Sequence, residues 1–296
     1  MGPAAHALQI TLAYAAHVTT ATGVQLALVF GPPLALAALM QPVALQSERW
    51  TERLVGRRAL WIAAGCVATA LHELGHAALA LLFGHRVTRV KWFDFAAEDG
   101  ALGQVDHEFD PTSFYQRVGR FFIGIAPIVL AALVIAAATR WLLGVHAAPS
   151  LRVATPAATP ASVAATARAL AVPLVASLHA VGGVAAALRL DRWQSWAFVY
   201  LAYLAGSAMR LSASDLRGAV AGLWTMTWLL LLANAVTVWM GAFATSAAAS
   251  VAGAMAAVDV ALLTAIALQL LVGGAALAVT HGIAFFRERE ALLARG

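Results

Sequence analysis

Residues 59–83 read ALWIAAGCVATALHELGHAALALLF, an apolar run with His72, Glu73 and His76 near its middle. As an α-helix this run can cross the roughly 30 Å hydrocarbon core of a bilayer, and Gly84 follows it as a helix stop. Residues four apart share one helix face, roughly 6 Å apart at the backbone, so His72 and His76 can both reach one metal ion. In such an H-E-x-x-H helix the Glu after the first His is the general base that takes a proton from metal-activated water, a role that falls to Glu73. Gly75 removes bulk beside His76 and leaves room for another backbone or a substrate. Two histidines and a glutamate inside a membrane helix cost several kcal/mol unless they are paired or functional. The packing alternative needs buried partners for all three groups, and nothing local in the sequence offers them.

Composition extends the membrane reading to the whole chain. Of 296 residues, 62% are apolar and only 11% are charged, against about 25% charged in a soluble domain. Ala leads the apolar runs, and small residues let helix backbones approach closely in lipid. The net charge of +5 is almost all arginine, with Lys91 the single lysine, in short clusters between apolar runs. That pattern sets topology at a membrane surface and is too scattered for a groove that tracks nucleic-acid phosphates. One cysteine, Cys66, excludes an internal disulfide and a cysteine-built zinc site. The N-terminus has no basic n-region, and its apolar stretch outruns a signal-peptide core, so no cleavable signal is expected.

The expected architecture is an all-α polytopic membrane protein of about six spanning helices (six, give or take one) with a small β-hairpin-like segment at about 86–105. Residues 1–58 form the N-terminal membrane segment and a charged connector, 59–245 the core, and 246–296 a last span with a charged tail. The first apolar stretch, 4–45, would be about 60 Å long as one helix, and Gly31-Pro32-Pro33 is expected to break it. Residues 48–58 hold four arginines and two glutamates. Val87, Val90, Trp92, Phe93 and Phe95 read as strand, and Gly100 and Gly103 as a turn. A third span is expected from Phe121 to Val145, then a Pro/Ala/Ser loop at 146–160. Apolar stretches follow at 161–190, 193–211, 218–246 and 253–286, with the polar break Ser212-Ala213-Ser214-Asp215 before the third of them. Trp50, Trp61, Trp92, Trp141 and Trp193 suit an interfacial belt, while Trp224, Trp228 and Trp239 read as ordinary packing.

Catalytic zinc usually takes three protein ligands and a water. Asp215 is the best candidate for the third, because it starts a helix between two apolar stretches. Ser212 and Ser214 suit a helix cap, and Gly218 would permit close packing. The alternative is an N-cap Asp215 paired with Arg210 or Arg217. His179 reads as a packing residue, Asp106-His107-Glu108 as a solvated polar turn, and Asp259 as a lone acid in the last apolar span without an assigned role. His6, His17 and His146 lie near span ends and receive no role.

His72-Glu73-Leu74-Gly75-His76 resembles the H-E-x-G-H form of the site-2 proteases. Ser212-Ala213-Ser214-Asp215-Leu216-Arg217-Gly218 is similar to the Ser-Asp-x-x-Gly variant of their bacterial branch, the M50B-like peptidases. Gly124-Ile125-Ala126-Pro127 is similar to the stretch that opens the corresponding family helix. The resemblance covers roughly residues 59–245. It implies three helices holding one zinc ion through His72, His76 and Asp215, with Glu73 as base and a hairpin beside the site. It also implies hydrolysis of a peptide bond in or next to a membrane segment of a membrane-protein substrate, within a bilayer such as the bacterial inner membrane. The chain departs from the better-known Asn-Pro-Asp-Gly pattern and has no PDZ-like insertion. The competing reading is a metal-binding scaffold or transporter that hydrolyses nothing, or an inactive homologue; the adjacent Glu73 argues for the enzyme.

Overall fold

In the computed structural model the described residues are 2–95, 102–145, 163–237 and 242–293. The elements are α1 (Pro3–Val55), α2 (Arg57–Leu82), β1 (Arg86–Lys91), β2 (Gln104–Glu108), α3 (Phe114–Gly124), α4 (Ala126–Leu143), α5 (Val163–Ala187), α6 (Trp193–Ala208), α7 (Ala213–Thr237) and α8 (Ala242–Leu293). The protein is an all-α polytopic membrane protein with one small antiparallel sheet. Among the described residues, five helices are long and apolar enough to cross a bilayer: α1, α2, α4, α7 and the Met255–Glu290 part of α8. A shorter apolar stretch, Ala171–Ala187, lies in α5. The count falls within the range expected from sequence. The expected turn at Gly100, the 146–160 loop with His146, and Trp239 lie outside the described residues.

The first stretch differs from expectation. Gly31-Pro32-Pro33 does not end α1, which runs through Pro32, Pro33 and Pro42. An interior proline costs about 3 kcal/mol in an isolated helix. In a bundle, neighbouring helices can compensate for the freed backbone groups. Here α1 packs along α8 over much of its length, the most extensive helix pair among the described residues. Leu28, Val29, Leu36, Met40 and Ala44 are buried around the prolines. The real break comes at Gly56, with φ of 84°, just before Arg57 and Arg58.

The main core joins α1, α4, α6 and α8 through Leu36, Met40, Ile128, Ile135, Phe198 and Leu262, with alanines between them. Close approach carries the packing, as expected where lipid gives little hydrophobic drive between helices. A methyl at Gly206 would meet Met40 Cε and Ala265 Cβ, both at 3.1 Å. Trp224 and Trp228 depart from the packing expectation: both are exposed on α7, set edge-to-face with ring centroids 5.9 Å apart. The third span starts later than expected, because the chain bends at Ile125 between α3 and α4.

The hairpin pairs Arg86 with Glu108, Val87 with His107, Arg89 with Asp106, Val90 with Val105 and Lys91 with Gln104, with a bulge between Val87 and Arg89. Opposite charges face each other at Arg86/Glu108 and Arg89/Asp106, which favours this register. The hairpin packs on α2, beside the buried motif.

Candidate metal centre

Helix α2 presents His72 and His76 side by side, with ring centroids 4.7 Å apart. It can seat them against α4 because residue 75 is glycine. A Cβ there would come within 3.0 Å of the Ala126 backbone and 3.1 Å of Pro127 N. The backbone for which Gly75 makes room is therefore the start of α4. Pro127 also frees a carbonyl: the i+4 amide that would normally bond the Ile123 carbonyl does not exist at a proline. The His76 Nδ1–H donates to that carbonyl at 2.8 Å. In the same way His72 Nδ1–H donates at 2.9 Å to the carbonyl of Ala208, the last residue of α6 and one of its orphan end groups.

Asp215 reaches the same point from α7. Ser212 caps this helix reciprocally: its N–H donates to Asp215 Oδ2 at 2.7 Å, and its Oγ accepts the Asp215 N–H at 3.2 Å. Ser214 Oγ lies 2.8 Å from Ser212 Oγ. Arg210, offered as a partner of Asp215 in the alternative reading, instead pairs with Glu48 of α1. The close packing that delivers Asp215 falls on Gly124 and Gly222 rather than Gly218. A Cβ on Gly124 would lie 2.6 Å from Asp215 O and Ala219 N, and one on Gly222 would collide with Phe121. At Gly218 it would make only an ordinary 3.7 Å contact with Arg120 O.

Asp215 Oδ1 lies 3.3 Å from His76 Nε2, Asp215 Oδ2 lies 3.5 Å from His72 Nε2, and the two Nε2 atoms are 3.0 Å apart. Both rings spend their Nδ1–H on backbone carbonyls, so in the neutral tautomers both Nε2 atoms carry lone pairs. Two lone pairs and a carboxylate converge with no proton between the nitrogens, an arrangement that a cation relieves. Tetrahedral zinc with bonds of about 2.0–2.1 Å would separate its ligands by roughly 3.3 Å, close to these spacings. The donors fit a metal ion: the nitrogens and carboxylate oxygens lie within 4.8 Å of one another. Among the described residues this is the single cluster of three or more such groups.

Glu73 is buried beside the cluster. Two cavities, of about 340 Å³ and 760 Å³, share His72, Glu73, Gly103 and Ser212 in their linings. The first is lined also by Gln41, Glu48, Thr69 and Arg210, the second by Asp106, His107, Arg120 and Arg217. Gly103 is one of the residues that line both. A Cβ there would sit 2.6 Å from Thr69 Cγ2, 2.7 Å from Glu73 Cγ and 2.8 Å from Glu73 Oε1.

The remaining candidates separate cleanly. His179, His6 and His17 are exposed and outside the cluster. Asp259 is fully buried in α8, and its Oδ1 has no hydrogen-bond partner among the described residues. Asp106 and His107 are half-buried on β2 and line the larger cavity, which corrects the solvated-turn reading; Glu108 is exposed. The residue that sequence reasoning missed is His85, buried after the Gly84 turn. Its Nε2–H donates to the Gln116 carbonyl at 2.9 Å, so its Nδ1 accepts from His107 Nδ1–H, also at 2.9 Å. Burial, with His85, His76 and Arg120 nearby, holds the His107 imidazole below its ordinary range against the opposing pull of Asp106.

A scan against protein-family models gives no match, and searches of curated proteins and of solved structures likewise find none.

Proposed function

We propose that this multi-pass membrane protein is a zinc-dependent intramembrane protease of the kind its motifs resemble, the site-2 proteases. One observation carries the reading: a buried acid, Glu73, sits in a cavity directly beside three convergent donors, His72, His76 and Asp215. Zinc, when bound, supplies a Lewis acid that acidifies a water and polarises a carbonyl. His72 and His76 hold their Nε2 lone pairs toward it because their Nδ1–H groups are anchored on Ala208 and Ile123. Glu73 takes one proton from the attacking water on a carboxylate oxygen. As the carbon–oxygen bond forms and the carbon–nitrogen bond breaks, Glu73 returns that proton to the leaving amine. A membrane helix satisfies its own carbonyls, so a substrate helix must unwind before one of them is attacked. The two cavities provide room for an unwound segment next to Glu73.

The competing scaffold or transporter reading uses the same metal donors but has no use for a base. Glu73→Gln separates them. The variant should retain metal at the wild-type level. It should lose at least about a hundredfold of any cleavage of casein or of a reporter with a transmembrane helix, as expected for a general base. Wild-type protein that is fully metallated and cleaves neither probe would favour the non-proteolytic reading.

A further inference from the structure

We infer that helix α1 supports the metal centre, with Gln41 as a positioning residue for two of its three donors. The inference rests on the metal-binding reading of His72, His76 and Asp215. It concerns a helix that lies wholly outside residues 59–245, the part of the chain the motifs occupy.

The argument starts at the short bridge between α6 and α7. At one end, the Ala208 carbonyl accepts the His72 Nδ1–H and so fixes which nitrogen faces the centre. At the other end, Ser212 caps Asp215 from both sides. The bridge thus touches two donors that belong to different helices. Its middle has no helix or strand of its own to satisfy its backbone. Gln41 does so at Leu211. Its Nε2–H donates to the Leu211 carbonyl at 3.1 Å, and its Oε1 accepts the Leu211 N–H at 3.2 Å. One turn pair further along α1, Glu48 pairs with Arg210, the preceding bridge residue. Between them Ala44 and Ser47 are buried, so the face of α1 that carries both side chains is packed in place.

Residue chemistry at position 41 is therefore specific. Only a carboxamide offers a donor and an acceptor side by side, which is what one peptide unit's N–H and C=O require. Glutamate keeps the acceptor and loses the donor. Leucine loses both and leaves two partly buried backbone groups without these partners. Slack in the bridge would let the Ala208 carbonyl drift from His72 and Ser212 from Asp215 together. Partners that orient metal ligands typically contribute 10–100-fold in affinity.

The test uses the full-length protein in detergent, with zinc affinity read by competition against a chromophoric chelator and ligand geometry by the cobalt(II) absorption spectrum. Gln41→Leu should weaken zinc about tenfold and alter the cobalt bands; Gln41→Glu should fall between it and wild type. Gln25→Leu is the control. Gln25 lies on the same helix and makes a comparable two-bond amide contact, with Asn234 of α7, away from the centre. It should lower thermal stability and leave zinc affinity unchanged. If Gln41→Leu does not fold, Gln41→Glu and Glu48→Gln carry the test, each with a smaller loss in the same direction. Zinc affinity in the position-41 variants that matches Gln25→Leu would overturn the inference and leave Gln41 as a structural staple. Wild-type protein that binds neither metal would instead overturn the metal reading beneath it.

Discussion

Two pairs of histidines face each other across almost the same gap, His72 with His76 at 3.0 Å and His85 with His107 at 2.9 Å. Their surroundings give them opposite characters. In the first pair each Nδ1–H is spent on a backbone carbonyl, so two acceptor nitrogens meet beside a carboxylate. In the second, His85 is anchored through Nε2–H on the Gln116 carbonyl, and the pair resolves into one donor and one acceptor. The first is electron-rich and asks for a cation; the second satisfies itself. Distance between imidazoles therefore says little about metal binding until the other nitrogen of each ring is accounted for.

The sharpest way to break the comparison is to remove a donor. His72→Ala, His76→Ala or Asp215→Ala should each reduce zinc affinity by more than the hundredfold that outer partners reach, measured as zinc content of purified protein. His107→Ala should leave zinc content at the wild-type level; equal losses at both pairs would erase the distinction.

A subtler change acts only through hydrogen bonding. Pro127→Ala restores an amide hydrogen that can compete with His76 for the Ile123 carbonyl. Zinc should weaken by about tenfold while all three donors remain. Unchanged affinity would mean that the carbonyl does not control the His76 tautomer.

The second pair should matter for stability instead. His85→Phe leaves the Gln116 carbonyl and His107 Nδ1–H without their partner, a loss of about 1–3 kcal/mol. It should appear in thermal unfolding with no change in bound zinc. The smallest effect is on pH dependence. Because burial lowers the folded His107 value, the unfolded chain binds the proton more readily, so stability should fall as pH drops below about 6.5 and stay level above it. Among the variants, His107→Gln should show a flatter acid-side slope than wild type.

Much of this was legible in the sequence, for physical reasons that differ by residue. His72, Glu73 and His76 declare themselves because helix periodicity alone puts two donors on one face. Asp215 could be nominated because a capped acid between two apolar runs is costly in lipid. The partners of the two histidines could not, since they are the backbone carbonyls of Ile123 and Ala208 and leave no trace in side-chain identity. His85 follows a glycine turn, and its meaning depends on residues in β2 and α3 that no local pattern connects to it. Gly31-Pro32-Pro33 misled because proline propensity is a local rule, and packing along α8 overrides it. Gly218 drew attention as a small residue beside Asp215, yet contact geometry gave the close-approach role to Gly124 and Gly222.

The missing side chain at Gly103 has a mechanical consequence. The volume that a side chain on Gly103 would occupy is filled by Thr69 Cγ2 and by the carboxylate arm of Glu73. The entry to β2 can lie this close to the acid because residue 103 has no side chain. Any larger residue at 103 would have to displace that arm or the strand entry, so the residue that opens β2 helps to set the aim of the carboxylate.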